Sequence, residues 1–414
     1  MSFDPITDEG FRLRSIAFAA YGPTVVSSTG YGAVMPVLAL RARELGADVS
    51  TAAFVVSLLA LGMLAFSLPA GAVVARIGER RALVIAGVVD TGAMLLAALS
   101  DSVWVLGVAV VISGMTWTTF LMSRQGFMID AVPFSHRARA LSTLGGMHRV
   151  GLVIGPVIGA GLIALFGLAS VFALAAGLSL VSAALALAMP DLGSEDRAAQ
   201  QRSGHLGVWS VLAAHRRTLL TLGMAVVVIG ASRSVRNGLL PLWADHVGMS
   251  ASTTSLIFAL AGAVDVLFFF PGGWLMDHRG RTIVAVPVVL SVAIGALLLP
   301  LTTGALGVAG VVILIAVGNG LGSGIVMTLG ADAAPVRGRA QFLGGWRLCG
   351  DLGNSSGPLM VSAIAAVAPL ATACVAIGLL GLLGTGWVGY WTRREDERLV
   401  ALRTAVTGGP TSTT

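Results

Sequence analysis

The chain has 414 residues, of which 56% are apolar and 11% charged, whereas soluble globular proteins carry about 25% charged residues. So little polar surface excludes a soluble enzyme, a secreted disulfide-rich protein and a disordered protein. The net charge is +6, and every basic side chain other than histidine is an arginine. The acidic start of the chain argues against a cleaved signal peptide. Cys349 and Cys374 lie in apolar runs, and neither a disulfide nor a metal site is expected. The composition therefore predicts an integral membrane protein.

Twelve apolar segments remain when the chain is cut at charged and Gly/Pro-rich loops. Each has about the 20 residues that an α-helix needs to cross a bilayer, and none shows the alternation of an outer-membrane barrel strand. We therefore predict an all-α membrane protein with twelve transmembrane helices. The approximate segments are 15–38, 51–74, 82–100, 103–130, 140–166, 168–189, 217–242, 252–274, 282–301, 305–331, 340–367 and 370–391.

Arginine is distributed unevenly between alternate loops. If both termini are cytoplasmic, 19 of the 26 arginines fall in cytoplasmic loops or ends, and only Arg41 and Arg43 fall outside. This is the bias that the positive-inside rule describes. It predicts a multi-pass protein of the cell inner membrane with both termini in the cytoplasm.

The two halves of the chain repeat each other at an offset of 202 residues, as at Ser50 and Ser252 or Gly78 and Gly280. An even number of spans per half makes the repeats parallel, related by an axis along the membrane normal. We expect two pseudo-symmetric six-helix bundles, at 1–190 and 217–392, in a monomer. A cytoplasmic linker at 191–216 joins them, and a cytoplasmic tail follows at 393–414.

Two loops carry glycine and arginine at matched positions. GAVVARIGERR (71–81) follows the second span and GGWLMDHRGR (272–281) follows the eighth. Both resemble the G-x-x-x-D-R-x-G-R-R/K loop of the major facilitator superfamily, which implies a gating role on the cytoplasmic side. Ala75 stands where that loop has aspartate, and an ordinary positive-inside loop is the alternative. The matching residues are Gly71, Arg76, Gly78, Arg80 and Arg81 in the first copy and Gly273, Asp277, Gly280 and Arg281 in the second.

The fifth span contains GLVIGPVIGAG (151–161). It resembles the G-x-x-x-G-P-x-x-G-G signature of the drug–proton antiporter branch through Gly151, Gly155, Pro156 and Gly159. Proline bends the helix and glycine permits close packing. The resemblance implies the major facilitator fold and export rather than import, and a packing motif alone is the alternative.

Ionisable side chains inside spans are costly and usually face a cavity or a partner. Arg149 and Asp265 lie at matching depths of spans 5 and 8, which the resemblance implies are neighbours across the two halves. We expect an Arg149–Asp265 pair in which Asp265 carries the proton, or else a permanent structural ion pair. The first span has no acidic residue, which leaves Asp265 and Asp351 as the candidate proton carriers.

Further intramembrane charges are expected to pair. Arg347 and Asp351 are four residues apart on one helix and form a second candidate proton-coupling pair or simply neutralise each other. Asp90 and Arg124 are expected to form a structural pair. Two more acidic residues, Asp130 and Asp332, are expected to pair with loop arginines in a gating or structural role.

Other side chains are candidates for substrate binding. Arg233, Arg236 and Asn237 share a face of span 7 and could bind a carboxylate or phosphate, or snorkel to the interface. Trp117, Phe120 and Trp346 could stack on an aromatic substrate or pack between helices. Arg124 is a further candidate.

The favoured function is proton-coupled efflux of a small hydrophobic drug or metabolite by alternating access. The alternatives are an importer or facilitator of an organic anion, a sugar or neutral-solute exporter, and a non-transporting receptor or scaffold. No catalytic motif is present, so an enzyme is not expected. The expected partners are a small-molecule substrate, protons and the lipid bilayer, without nucleic acid, metal or cofactor.

Overall fold

The computed structural model describes residues 13–132, 134–190, 208–335 and 339–407. The secondary structure in these ranges is helical. The first half contains α1 (Leu13–Val34), α2 (Leu38–Glu44), α3 (Val49–Ile77), α4 (Glu79–Leu99), α5 (Val103–Ala131), α6 (Phe134–Phe166) and α7 (Ala169–Leu187).

The second half opens with two short helices and a π-helical turn at Leu219–Gly223, and a 3₁₀ turn at Leu299–Leu301 follows its third long helix. Its helices are α8 (Val208–Ala214), α9 (Arg216–Thr218), α10 (Met224–His246), α11 (Ala251–Arg279), α12 (Thr282–Leu298), α13 (Ala305–Leu321), α14 (Ile325–Ala333), α15 (Arg339–Ala365) and α16 (Leu370–Thr407).

Ten stretches of the described chain are long and apolar enough to cross a membrane as helices, and the pair α1 and α2, bent by 44°, forms an eleventh candidate. Helix α15 also has the length of a span, with 27 residues, but it carries Arg347 and Asp351. The protein is therefore a multi-pass helical membrane protein, as the composition predicts.

Positions 202 residues apart have the same local structure. Asp48 caps α3 by accepting the N–H of Thr51 at 2.7 Å, and Ser250 caps α11 by accepting the N–H of Thr253 at 3.1 Å. The hydrogen bonds from Thr51 also hold the pKa of the Asp48 carboxyl below its ordinary value. The equivalent glycines 78 and 280 both have positive φ, at 85° and 92°, a region that glycine enters without steric cost.

The helix packing repeats as well. In the first half α1 packs against α6 and α7, α3 against α5, and α4 against α5 and α7. In the second half α10 packs against α15, α11 against α13, and α12 against α13 and α16. The main contacts between the halves are α3 with α15 and α6 with α11.

Glycine brings the paired helices together. A Cβ at Gly151 would lie 2.7 Å from the carbonyl oxygen of Val25, and one at Gly155 would overlap the backbone of α1. Gly353 and Gly357, at the equivalent positions of α15, meet the backbone of α10 in the same way. The motif in the fifth span therefore packs α6 tightly onto α1.

The segments outside the spans are more helical than the sequence suggests. Residues 191–207 of the expected linker lie outside the described ranges, but α8 forms from 208 onward and packs against α15. Helix α16 continues through most of the expected tail to Thr407. There Asp396 accepts the backbone N–H groups of Arg281 and Thr282 at 2.8 and 3.0 Å, which caps the start of α12.

Candidate functional site

A cavity of about 440 Å³ lies between the two halves, where α3 and α6 face α11 and α15. Its volume is in the range of small-molecule sites, and we refer to it as the central cavity. Its walls come from α1, α3, α6, α10, α11, α13 and α15. The polar residues that line it are His148, Arg149, Arg233, Ser234, Arg236, Asn237, Asp265, Asn319, Ser323 and Asn354.

Asp265 of α11 is hydrogen-bonded through one carboxylate oxygen only. Its Oδ2 accepts Nη1 of Arg236 at 3.2 Å and Nδ2 of Asn319 at 2.8 Å. Its Oδ1 is buried and has no hydrogen-bond partner among the described residues. A buried carboxylate oxygen without a donor is costly, so this atom is an available acceptor.

The expected Arg149–Asp265 salt bridge is not present. The guanidinium carbon of Arg149 lies 3.9 Å from the ring centroid of Phe269, and its Nη1 donates to Oγ of Ser323 at 3.1 Å. Both charged residues line the central cavity, but Arg236 of α10 is the one that reaches the carboxylate. The positions of Arg149 and Asp265 along their helices correctly predict that the two residues share a cavity. They do not predict which arginine of that cavity contacts the Asp265 carboxylate.

Arg233 lies beside Arg236 and is anchored to the backbone. Its Nη2 donates to the carbonyl oxygen of Gly322, the residue that follows the last residue of α13. The charged residues lining the central cavity are thus three arginines and Asp265. The cavity therefore carries an excess of positive charge.

Stacked aromatic rings of the first half lie at the edge of the central cavity. Tyr31, which borders the central cavity, stacks on Trp117 with ring centroids 4.3 Å apart, and Trp117 stacks on Phe120 at 5.4 Å. His148 completes this wall and lies 2.6 Å from Oγ of Ser28 through its Nδ1. Trp117 and Phe120 line a second cavity behind Tyr31 instead of the central one.

Two other substrate-binding candidates do not line the central cavity. Trp346 is 3% exposed, stacks on Phe342 and donates its Nε1 to the carbonyl oxygen of Val326 at 2.8 Å, as a core residue does. Arg124 lies with its guanidinium carbon 5.7 Å from the ring centroid of Phe120.

The expected Asp90–Arg124 pair is also wrong. Asp90 accepts hydrogen bonds from Ser113 at 2.7 Å, Thr116 at 2.9 Å and Ser179 at 2.6 Å. A search of the sequence for oppositely charged partners does not find these hydroxyl groups. Serine and threonine residues in otherwise apolar spans could have indicated them, since their hydroxyl groups satisfy a buried carboxylate without a second charge.

Arg347 and Asp351 do form the expected pair on α15, with Nε and Oδ2 3.9 Å apart. Asp351 also accepts Oγ of Ser67 at 3.2 Å, which joins α15 to α3. The equivalent contact between α6 and α11 is the one between Arg149 and Phe269, because 67 and 269 as well as 149 and 351 differ by 202. The same packing position therefore holds different chemistry in the two halves.

At one end of the molecule the halves are bonded to each other, and we call this the closed end. Nε of Arg43 lies 3.2 Å from Oδ2 of Asp245. Two hydroxyl-to-carbonyl bonds flank this pair, from Ser50 to Ser362 at 2.8 Å and from Ser252 to Ala160 at 2.9 Å. Each partner has its counterpart 202 residues away, so the three contacts form a symmetric set.

At the opposite, open end three glycines of α3, α6 and α15 have space around them. A Cβ at Gly71, Gly145 or Gly344 would meet nothing within 4 Å. The side-chain contacts that the structure describes here lie within one half. Arg80 donates to the carbonyl oxygen of Leu187 at 2.6 Å. Nε of Arg281 lies 2.9 Å from Oδ2 of Asp332, which confirms the expected pairing of Asp332 with a loop arginine.

Gly273 is also uncrowded, Arg76 and Arg81 are exposed, and the side chains of Asp130 and Asp277 lie outside what the structure describes.

The sequence matches a known protein family and shares partial similarity with known proteins. Residues 24–358 match the Major Facilitator Superfamily. The class H tetracycline resistance protein of Pasteurella multocida is 32% identical over 139 residues, which are 33% of this chain and 34% of that protein. The multidrug resistance protein MdtG of Citrobacter koseri is 25% identical over 172 residues, 41% and 42% of the two chains. The matched segments thus span between about a third and two fifths of these relatives.

Solved structures with similar folds cover nearly the whole chain. A POT family transporter in complex with 5-aminolevulinic acid aligns with a TM-score of 0.74 at 14% identity, over 92% of this chain and 96% of that one. The nucleoside transporter NupG aligns with a TM-score of 0.70 at 13% identity, over 90% and 98%. At these identities the likeness concerns the fold alone.

Proposed function

The chain belongs to the Major Facilitator Superfamily, and its relatives there are transporters and not enzymes. On that premise we propose that it exports a small amphipathic drug or metabolite in exchange for protons, by alternating access. The resistance proteins with partial sequence similarity support export as the direction.

The proposed architecture has twelve spans in two six-helix bundles, at 1–190 and 217–392. The bent pair α1 and α2 and the polar helix α15 complete the ten apolar spans. The arginine distribution supports cytoplasmic termini, and with them a cytoplasmic open end, in an inner-membrane protein. The closed end then faces outward. The glycine and arginine loops at 71–81 and 272–281 are the proposed cytoplasmic gate.

The observation that carries this proposal is Asp265, the carboxylate that lines the central cavity and whose buried Oδ1 has no hydrogen-bond partner among the described residues. A proton and a hydrogen-bond donor of the substrate compete for this carboxylate. Because they exclude each other, the cavity alternates between a proton-loaded and a substrate-loaded form, and this is the condition for exchange.

Neighbouring residues assist both forms. Arg236 and Asn319 hold the ionised carboxylate in place through Oδ2, and Arg149 adds positive charge nearby without contact. The ring of Tyr31 and the apolar side chains around it offer a surface for the body of the substrate. Asp351 with Arg347 and Ser67 connects α15 to α3, and we assign it a positioning role at that contact.

Transport of an organic anion is the second candidate, and one observation favours it. Arg149, Arg233 and Arg236 face a single carboxylate in the central cavity, so an anionic group would balance charge that the chain leaves uncompensated. In that case the protein would be an importer or facilitator, with Arg233 and Arg236 as the anion-binding residues and Asn237 beside them.

The deciding experiment is a compound-panel efflux assay in energised inverted vesicles. Wild type should release protons on adding a substrate, and Asp265→Asn should lose that release. Asp48→Asn, which alters a helix cap at the closed end, is the matched control and should behave as wild type. Equal proton release by wild type and Asp265→Asn would contradict the mechanism.

The same assay separates the two candidates. An anion carrier should show uptake of an organic acid that Arg233→Ala abolishes, and exchange should persist when the membrane is de-energised. An exporter should instead lose concentrative transport when the proton gradient is collapsed.

A further inference from the structure

We propose that Asp90 is a second proton-binding site, located in the small cavity of the first half and loaded separately from Asp265. The ligand is a single proton. This site does not depend on the direction of transport or on the substrate of the central cavity.

Three hydroxyl groups surround the Asp90 carboxylate. Ser113 and Thr116 of α5 donate to Oδ1, and Ser179 of α7 donates to Oδ2, at distances of 2.6 to 2.9 Å. Asp90 itself lies on α4, so the cluster joins three helices of one half. Every polar partner of the carboxylate is uncharged.

Among the described residues, the lining of this cavity offers no cation to balance an ionised carboxylate. The lining residues come from α1 to α5 and α7; Asp90 and Tyr31 are the titratable ones, and no arginine or histidine is among them. Asp265, by contrast, shares its cavity with three arginines. A buried carboxylate without a cation is costly when ionised, whereas a proton removes its charge and keeps its hydrogen bonds.

The hydroxyl of Thr116 lets the cluster accommodate both charge states. It lies 2.9 Å from Oδ1 of Asp90 and 2.8 Å from the carbonyl oxygen of Ser113. When Asp90 is ionised, this hydroxyl donates to the carboxylate. When Asp90 is protonated, the carboxyl donates to Thr116, whose hydrogen turns to the carbonyl of Ser113. Each state is fully hydrogen-bonded, so gaining or losing a proton requires only a rotation.

The site adjoins the central cavity. Tyr31, Met35 and Leu59 line both cavities, so a single layer of side chains separates them. Thr116 also precedes Trp117, which stacks on Tyr31. The cluster around Asp90 is thus connected through Thr116 and Trp117 to the ring of Tyr31 at the edge of the central cavity.

The test is an infrared titration of the full-length protein in vesicles of phosphatidylethanolamine and phosphatidylglycerol, without substrate. Wild type should show the C=O stretching band of a protonated carboxyl group whose intensity falls as the pH is raised. Asp90→Asn should lose this band, and the matched variant Asp265→Asn should keep it. Because no substrate is added, failure of the export proposal leaves this result unaffected.

A second variant keeps the proposal testable if Asp90→Asn does not fold. Thr116→Val removes one donor to the ionised carboxylate and should move the midpoint of the band to higher pH by about one unit or more. The proposal is overturned if the band is the same in wild type and Asp90→Asn, or if Thr116→Val leaves its midpoint unchanged. It is also overturned if replacing choline chloride with sodium chloride at constant pH removes the band, since the cluster would then bind Na⁺ through its oxygens.

Discussion

Asp265 is held by partners from two other helices, Arg236 of α10 and Asn319 of α13. The carboxylate and the guanidinium are both largely withdrawn from solvent, with side-chain exposures of 15% and 24%. Removing either charge breaks this contact between two side chains that are largely withdrawn from solvent. The pair should therefore be strongly coupled in folding.

We expect Arg236→Gln and Asp265→Asn each to lower the free energy of unfolding, and the double variant to lose less than the sum of the two. A coupling energy of about 1 to 3 kcal/mol is typical of residues in direct contact. Thermal unfolding of the four proteins in detergent measures it. Strict additivity would show that the two side chains do not interact.

For single residues, the sequence predicts the region in which a charged side chain lies better than it predicts the partner of that side chain. Positions of Arg149, Arg233 and Asp265 along their helices are enough to assign them to one polar region. The partner of Asp265 depends on the rotation of α10 about its own axis, which no spacing in the sequence fixes. For the same reason, the sequence makes Trp346 a candidate for substrate stacking, whereas the structure makes it a core residue. The direction of its side chain is set by packing against Phe342.

Among the elements, α6 shows most directly how sequence becomes packing. Its glycines 151 and 155 face α1, where any side chain would collide with backbone, whereas Gly161 of the same helix has open space around its Cα. One helix thus offers both a crowded and an uncrowded position for the same substitution.

Gly155→Ala should destabilise the protein by about 1 to 3 kcal/mol, since the added methyl group overpacks a fixed backbone contact. Gly161→Ala should be neutral or slightly stabilising, because alanine is the better helix former. The comparison is made by thermal melting in the same detergent. Equal losses for the two would mean that the contact with α1 does not limit stability.

The start of α12 depends on a residue more than 110 positions away. Asp396 of α16 accepts two backbone N–H groups there and also Oγ1 of Thr282 at 2.8 Å. A carboxylate at a helix N-terminus satisfies donors that the helix leaves free and interacts favourably with its dipole.

Asp396→Ala should therefore cost about 0.5 to 2 kcal/mol of stability, the range for loss of a helix cap. Glu397→Gln, next to it and 63% exposed, is the control and should change the melting temperature little. The prediction fails if the two variants melt alike.

The element boundaries follow well from the sequence where loops are polar, as at Gly78 and Gly280 with their positive φ. The extension of α16 to Thr407 does not, because the charged residues that follow Trp391 have the composition of a tail. Its helicity depends on tertiary contacts such as those of Asp396, which appear only once the loops are folded.

For the whole molecule, the contacts between the halves define which side of the central cavity is sealed. Ser50 and Ser362 meet at the closed end, whereas Gly71 and Gly344 mark the same two helices, α3 and α15, at the open end. If the halves rock about the central cavity, the distance within one of these pairs should increase as the distance within the other decreases.

The pair Ser50→Cys and Ser362→Cys, with Cys349 and Cys374 replaced, should form a disulfide readily in the resting protein and stop transport until it is reduced. The pair Gly71→Cys and Gly344→Cys should cross-link slowly at rest. Gel mobility under oxidising and reducing conditions, with flux measured in parallel, tests both. Transport that continues with the first disulfide intact would exclude opening at this end.

Charge reversal at the closed end provides the control. Arg43→Asp should reduce cross-linking of the Ser50→Cys and Ser362→Cys pair, since it faces Asp245 with a like charge. Arg43→Asp with Asp245→Arg should restore it. Failure of the double reversal to recover would show that the ion pair is not what holds this end.

Arg43 and Asp245 are counterparts of each other, yet they carry opposite signs. Two identical copies of one ancestral half, facing each other as separate subunits, would have brought arginine against arginine or aspartate against aspartate. The attraction between them could arise only after the two copies had become free to mutate separately. The ion pair at the closed end therefore postdates the divergence of the copies, and a homodimer rebuilt from either half should lack it.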